Sequence, residues 1–147
     1  MTVGEGESHL LTAFRAGFPR FAESFNAGDF ERASRTLAED VEQRFPEEFP
    51  ERRVRGRDAW VRFFDEYRRD LETWSVILLD CFDAGPGQLI VSLEYVGIGR
   101  ASRLRQIFRT WDLVEFDDHA RIGLIVNCAD RSDAERVAAE QAALEGG

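Results

Sequence analysis

The order of the elements that the sequence predicts indicates an α+β fold, with helices first and an antiparallel sheet afterwards. In the first half, apolar residues recur at spacings of three and four, which is typical of helices with one buried face. In the second half, four β-rich runs are separated by the turn sequences DAGPG, GRAS and DDHA. Because these strands follow one another along the chain, we expect an antiparallel meander with the helices packed on one face of the sheet.

The first helix is predicted over residues 11–25, where leucine and phenylalanine form a stripe at helical spacing. Ser8 is placed to cap its start, since a hydroxyl can accept a hydrogen bond from a free N–H group of the first turn. Gly17 and Pro19 interrupt its middle. We therefore expect either a kink at that point or two abutting helices.

The sequence NAGD at residues 26–29 predicts the end of this helix and the start of another. Gly28 stands where the end of a helix favours a left-handed residue. Asp29 can cap the next helix, which would carry Phe30 and Leu37 on one side.

Two short strands and a third helix complete the first half of the chain. The segment VEQRF is typical of a strand, which Pro46 would end, and a second short strand is expected near Val54. From Arg57 the pattern is helical, and Asp58 suits the positive end of the helix dipole. The apolar stripe of this helix comprises Trp60, Phe64, Tyr67 and Leu71.

The end of the chain, DRSDAERVAAEQAALEGG, is rich in alanine and glutamate and predicts a short terminal helix. A chain of 147 residues without an internal repeat is expected to form one domain, residues 1–147, with a core over about residues 8–134.

The charge balance argues against some classes of partner. The net charge is −9, from 28 acidic and 19 basic residues, and every basic residue is arginine. Because affinity for nucleic acid comes mostly from neutralised phosphates, no nucleic-acid partner is expected. No apolar run approaches the ~18 residues of a membrane span, and the N-terminus lacks a signal pattern, so we expect no membrane association and a cytoplasmic location.

Neither cysteines nor histidines suggest a metal centre. Cys81 and Cys128 each lie within an apolar strand pattern and are expected to be buried, reduced thiols. His9 and His119 are the remaining soft ligands, and neither has a partner at metal-binding spacing. We therefore expect neither a metal nor a cofactor.

Several motifs in order resemble the SnoaL-like members of the nuclear transport factor 2-like (ketosteroid isomerase-like) superfamily. They are NAGD, LAEDVE, GRDAWVRFF, TWDLVEFDDHARI and ADRSDA, and the similarity covers about residues 18–134. The resemblance implies a cone, in which a strongly curved antiparallel sheet wraps around the N-terminal helices and leaves an apolar cavity at its open end. This family includes ketosteroid isomerases, polyketide cyclases, epoxide hydrolases, dehydratases and non-enzymes, so the fold does not select the reaction.

Alternation along the third long strand separates its two faces. The more apolar face is expected to be the concave one, which places Asp112 inside; it comprises Leu104, Phe108, Thr110, Asp112, Val114 and Phe116. By the family pattern, Ile125, Asn127 and Ala129 also face inward. In the preceding strand, Tyr95 faces inward and Glu94 outward, or the reverse after a one-residue slip, and both arrangements stay open.

The resemblance allows known activities to be tested residue by residue. Ketosteroid isomerisation in this fold uses a tyrosine, a carboxylate base and a protonated aspartate, which correspond to Phe21, Phe45 and Asp112. Since two of the three groups are replaced by phenylalanine, that activity is not expected. The acid that epoxide hydrolases carry on the last strand corresponds to Asn127, an amide that cannot act as a base.

An aldol closure of the polyketide-cyclase type requires less, namely one acid/base group and an apolar pocket that orients the substrate. Asp112 as the catalytic group, with Asn127 beside it, fits this minimum. The alternative is a structural carboxylate, because structural networks also perturb buried acids. The residues expected to line the pocket are Phe21, Phe25, Phe45, Trp60, Phe64, Phe108, Thr110, Ile125 and Asn127, with Phe18 and Phe49 as further aromatic candidates.

Two functions therefore remain. The first is binding of a small apolar molecule, with cofactor-free cyclase, isomerase or dehydratase chemistry. The second is a non-catalytic module with a vestigial pocket, which binds a partner or dimerises through its sheet. In either case we expect a homodimer through the outer face of the sheet, at Ile107, Trp111 and Leu113. A closed cavity filled by aromatic side chains would favour the second function, and an open cavity reaching Asp112 the first.

Overall fold

The computed structural model describes residues 7–46 and 52–146, and it confirms the α+β class. The elements are α1 (His9–Asn26), α2 (Phe30–Ala33), a 3-10 turn (Ser34–Thr36), β1 (Leu37–Arg44), β2 (Arg53–Arg55), α3 (Arg57–Arg69), β3 (Leu71–Gly85), β4 (Gln88–Gly99), β5 (Arg105–Phe116), β6 (Ile122–Cys128) and α4 (Arg131–Gly146). The predicted aromatic candidate Phe49 lies outside the described residues.

The strands form one sheet in the order β2-β1-β6-β5-β4-β3. The four long strands make the antiparallel meander that the sequence predicts. Strand β1 is an exception, because it runs parallel to β6 and pairs Gln43 with Ile125. Irregularities in the pairing of β1 with β6, β3 with β4 and β5 with β6 bend the sheet, since a bulge increases the local twist.

The first helix is capped as predicted, with Ser8 Oγ accepting a hydrogen bond from the Leu11 N–H at 3.0 Å. It continues through Pro19 as one helix, so of the two alternatives, a kink or two abutting helices, the second is wrong. Pro19 lies on the exposed side of the helix, where it removes one main-chain hydrogen-bond donor.

The predicted stop and start at NAGD are confirmed. Gly28 has a φ of +81°, and Asp29 Oδ1 accepts a hydrogen bond from the Arg32 N–H at 3.1 Å. The helix that follows is one turn long, so Leu37 is the first residue of β1 and not part of the helix. Strand β1 begins earlier than predicted because Leu37 already pairs with Ile122 of β6.

Helices lie on both faces of the sheet, so the prediction that all of them pack on one face was wrong. The larger core joins α1, α2 and α3 to the concave face, whereas α4 covers part of the opposite face. The small side chains of Ala134 and Ala138 let α4 approach the sheet closely, and this helix is longer than the short one expected. Leu113, one of the residues expected at a dimer interface, is fully buried in this second cluster.

Leu104 was expected on the concave face of the third long strand, but it precedes β5 and is 65% exposed. The turn between β4 and β5 extends to this residue, because Arg103 adopts a φ of +61°. In the described parts of the chain, Cys81 and Cys128 are buried free thiols as predicted, and no helix has the length and apolar character of a membrane span.

Candidate functional site

A cavity of about 310 Å³ lies between α1 and the concave face of the sheet. This volume is at the lower end of the roughly 300–1,000 Å³ typical of small-molecule sites. Its aromatic wall is formed by Phe14, Phe18, Phe21, Phe25, Trp60 and Phe64. Its mouth is marked by lining residues that are exposed to solvent, which are Ala13, Gly17, Arg35, Thr36, Ala120 and Arg121.

Asp112 is the one carboxylate among the described residues that line this cavity. It lies in β5 between Val91 of β4 and Asn127 of β6, and it is 3% exposed. Burial raises its pKa from 3.8 to about 7, although a hydrogen bond from Asn127 partly opposes the shift. Near neutral pH the group therefore populates both its protonated and its ionised form.

A chain of hydrogen bonds holds Asp112, and two of its members, Trp60 and Gln43, also line the cavity. The Trp60 Nε1–H donates to Gln43 Oε1 at 2.8 Å, and Gln43 Nε2 donates to Asn127 Oδ1 at 3.0 Å. Asn127 Nδ2 then donates to Asp112 Oδ1 at 2.7 Å.

The direction of this chain follows from Trp60, because an indole nitrogen can only donate a hydrogen bond. Gln43 must therefore turn its oxygen towards Trp60 and its NH₂ group towards Asn127. Asn127 in turn receives that bond on its oxygen and presents its own NH₂ group to Asp112. The Trp60 indole on α3 thus orients the NH₂ group of Asn127 so that it donates a hydrogen bond to Asp112 on β5.

The pairing of strands brings Asp112, Asn127 and Gln43 together. Asn127 lies directly opposite Asp112 in the antiparallel β5–β6 pair. Gln43 reaches Asn127 because β1 adds to the other edge of β6 in parallel, although the two residues are 84 positions apart in sequence. The family pattern predicted that Asn127 faces inward, but no local sequence signal identifies Gln43.

Tyr95 is a second polar group of the cavity, so the inward alternative for this residue is correct. Glu94 points outward and pairs with Arg109 at 2.7 Å. Burial and the negative charge of Asp112 raise the pKa of Tyr95 well above its usual value. Its hydroxyl therefore stays protonated and available as a hydrogen-bond donor near neutral pH.

Thr110 lies on the same face of β5 as Asp112 and is 4% exposed. Its hydroxyl makes no hydrogen bond of good geometry within the described part of the chain. It nevertheless lies close enough to Asp112 and Tyr95 to lower the pKa of both. This hydroxyl is thus a buried polar group that lacks a hydrogen-bond partner of good geometry among the described residues.

The structure brings together six of the ten predicted site residues in the lining of the cavity, which are Phe21, Phe25, Trp60, Phe64, Asp112 and Ile125. The other four lie just outside it. Phe45 stacks on Phe63 with ring centroids 4.5 Å apart, and Phe108 stacks on Tyr95 at 4.8 Å. Thr110 and Asn127 flank Asp112. Ala129, which the family pattern placed inward, follows β6 and is exposed.

Solved structures share this fold over most of the chain, at identities too low to indicate a shared reaction. An LEH-like epoxide hydrolase from Mycobacterium tuberculosis is 18% identical with a TM-score of 0.63, covering 88% of this chain and 87% of its own. The epoxide hydrolase/cyclase-like enzyme SalBIII, which is described as having a role in pyran ring formation in the polyether salinomycin, is 14% identical with a TM-score of 0.66. The match covers 83% of this chain and 94% of SalBIII. A second M. tuberculosis protein, in complex with estradiol-17beta-hemisuccinate, is 15% identical with a TM-score of 0.64. The match covers 80% of this chain and 93% of that protein.

No curated protein matches the sequence. The family model of the SnoaL-like domain, however, matches residues 18–124, which span α1 from Phe18 through to β6. This match covers well over half of the chain and includes Asp112 and most of the residues that line the cavity, and the chain therefore belongs to the SnoaL-like family.

Proposed function

We propose that this protein binds a small, largely apolar molecule in the cavity and transfers a proton on it, as a cofactor-free cyclase, isomerase or dehydratase. The observation that carries the proposal is Asp112, the one carboxylate among the described lining residues, in a cavity whose lining is mostly apolar and aromatic. Its pKa of about 7 matches the value at which one group serves best both as a general base and as a general acid.

The chemistry requires only groups that this chain supplies. Ionised Asp112 would take a proton from an acidic C–H group beside a substrate carbonyl, which leaves an enolate and a neutral carboxylic acid. The neutral acid would return that proton to another carbon in an isomerisation, or to the alkoxide that forms when the enolate attacks a second carbonyl. The protonated hydroxyl of Tyr95 is suited to donate a hydrogen bond to the enolate oxygen.

Structural neighbours support a role with small molecules in general terms. One is described as an epoxide hydrolase/cyclase-like enzyme, and another is in complex with a steroid hemisuccinate. Epoxide hydrolysis itself is not favoured here, because Asn127 is an amide that already spends its NH₂ group on Asp112.

The experiment begins with native mass spectrometry of protein purified from its own host, to capture a molecule that copurifies. That molecule is then incubated in D₂O with wild type, Asp112→Asn and the control Asp118→Asn, whose carboxyl lies in the exposed β5–β6 turn. We expect deuterium uptake at carbon with wild type and Asp118→Asn, and retained binding without uptake by Asp112→Asn. Equal uptake by Asp112→Asn would show that Asp112 is not the base.

A second candidate is a dimeric module that binds a partner without catalysis. The observation in its favour is a set of exposed apolar side chains on the outer face of the sheet, Ile77, Leu79 and Ile107, which are 47%, 48% and 51% exposed. We propose a homodimer through this uncovered part of the sheet, because such side chains are stabilised by removal from water. Sedimentation equilibrium at micromolar concentration tests it, and a monomer would contradict the dimer. Under this candidate no copurifying molecule would be found.

A further inference from the structure

The charges around the cavity are unevenly placed. Among the described lining residues, the acidic side chain is Asp112, which is buried, and the basic ones are Arg35 and Arg121, which are exposed. Arg35 belongs to the 3-10 turn after α2, and Arg121 to the turn between β5 and β6. The cavity thus has cations at its mouth and a mostly apolar interior, in a chain whose net charge is −9.

Neither of these arginines forms an ion pair with a carboxylate in the part of the chain that the structure describes. No carboxylate in the described ranges lies within 4.0 Å of either guanidinium group, whereas Arg44, Arg55 and Arg109 on the outside of the sheet each have such a partner. Two acids precede Arg121 in its turn: Asp118 is exposed, and Asp117, which interacts with the charge of Arg121 at longer range, is engaged mainly by the main chain. Its Oδ1 accepts hydrogen bonds from the N–H groups of His119 and Arg121 at 2.8 and 3.0 Å.

We infer that the ligand of this site is an amphipathic monoanion, an apolar molecule with one terminal carboxylate. This inference rests on the proposed binding function and specifies its substrate class. A guanidinium group matches the geometry of a carboxylate, so Arg35 and Arg121 would hold the charged end at the mouth. The apolar body would then extend along the aromatic wall towards Asp112.

The interior of the cavity favours the same orientation of the ligand, because it disfavours a second carboxylate. A carboxylate placed deep in the cavity would lose its hydration and would lie beside Asp112, and both effects disfavour a second negative charge there. A doubly charged phosphate is also disfavoured at the mouth, because the net charge of the protein is strongly negative.

A matched pair of probes tests the inference. Binding of 2-naphthylacetate and of the neutral 2-naphthylacetamide is measured by calorimetry at pH 6 and low salt, where the first probe is ionised. Wild type should bind the anion roughly tenfold more tightly, from about one exposed ion pair at each arginine. The double variant Arg35→Gln/Arg121→Gln should lose this preference and keep its affinity for the amide, since both side chains are exposed and support no described ion pair.

The control is Arg20→Gln, which removes an exposed arginine of α1 that does not line the cavity and should leave the preference unchanged. Equal affinity of wild type for both probes, or a preference that survives in the double variant, would overturn the anionic ligand while leaving apolar binding intact. Failure of both probes to bind would contradict the anionic ligand and the proposed binding function together.

Discussion

Replacing Asp112 by asparagine should stabilise the protein, and increasingly so as the pH rises. The folded protein raises the pKa of this carboxyl from 3.8 to about 7, so the folded state binds the proton more tightly than the unfolded chain. The stability due to this proton is fully present below pH 3.8 and is lost as the pH rises to about 7. Asparagine is neutral at every pH and keeps an oxygen that can accept the hydrogen bond from Asn127, so the variant escapes this loss.

The size of the effect follows from the two pKa values. Relative to a side chain that stays neutral, linkage gives a cost of Asp112 to the unfolding free energy of about 2 kcal/mol at pH 5 and about 4 kcal/mol at pH 8. The more reliable quantity is the change with pH, because any constant effect of the new amide cancels. The advantage of the variant in unfolding free energy should therefore grow by about 2–3 kcal/mol from pH 5 to pH 8, or roughly 5–10 °C in melting temperature.

Urea unfolding, followed by tryptophan fluorescence at both pH values, measures this difference directly. The control Asp118→Asn should show no such growth, because its carboxyl is exposed in a turn. An advantage for Asp112→Asn that is independent of pH, or that shrinks as the pH rises, would refute the reasoning. The carboxyl would then have an ordinary or lowered pKa, as a structural group does, and the non-catalytic module would be favoured.

Three further predictions follow from local contacts. Trp60→Phe removes the indole donor that orients Gln43, so Asp112 should lose part of its bond from Asn127 and its pKa should rise further; NMR titration of Asp112 measures this, and an unchanged pKa would show that Gln43 and Asn127 keep their orientation without the indole. Gly28→Ala should destabilise the fold by about 1 kcal/mol in urea unfolding, because φ is +81° while the space for a methyl group is open; no loss would mean that the turn adapts. Dialysis against EDTA should leave the melting temperature unchanged, because no cluster of potential ligands occurs within residues 7–46 and 52–146; a fall would reveal a metal.

Local patterns were sufficient for much of the fold and for the central residue of the site. The caps at Ser8 and Asp29 and the left-handed Gly28 depend on a few neighbouring residues, so sequence spacing predicts them. The inward position of Asp112 follows from strict alternation along β5, which is also local. The cone and the inward position of Asn127 came from the family resemblance, which the family match supports.

The tertiary structure decided the rest. The parallel pairing of β1 with β6 brings Gln43 to Asn127 across 84 positions, and no short-range pattern encodes such a pairing. The docking of α4 against the outer face of the sheet hides Leu113, because an alanine-rich helix shows no strong apolar stripe to reveal its partner. Short-range patterns predict which face of a helix or strand is buried, but only the folded chain determines which element covers that face. For this reason the sequence identified the carboxylate, and the tertiary structure determined the hydrogen bonds and the burial that set its pKa.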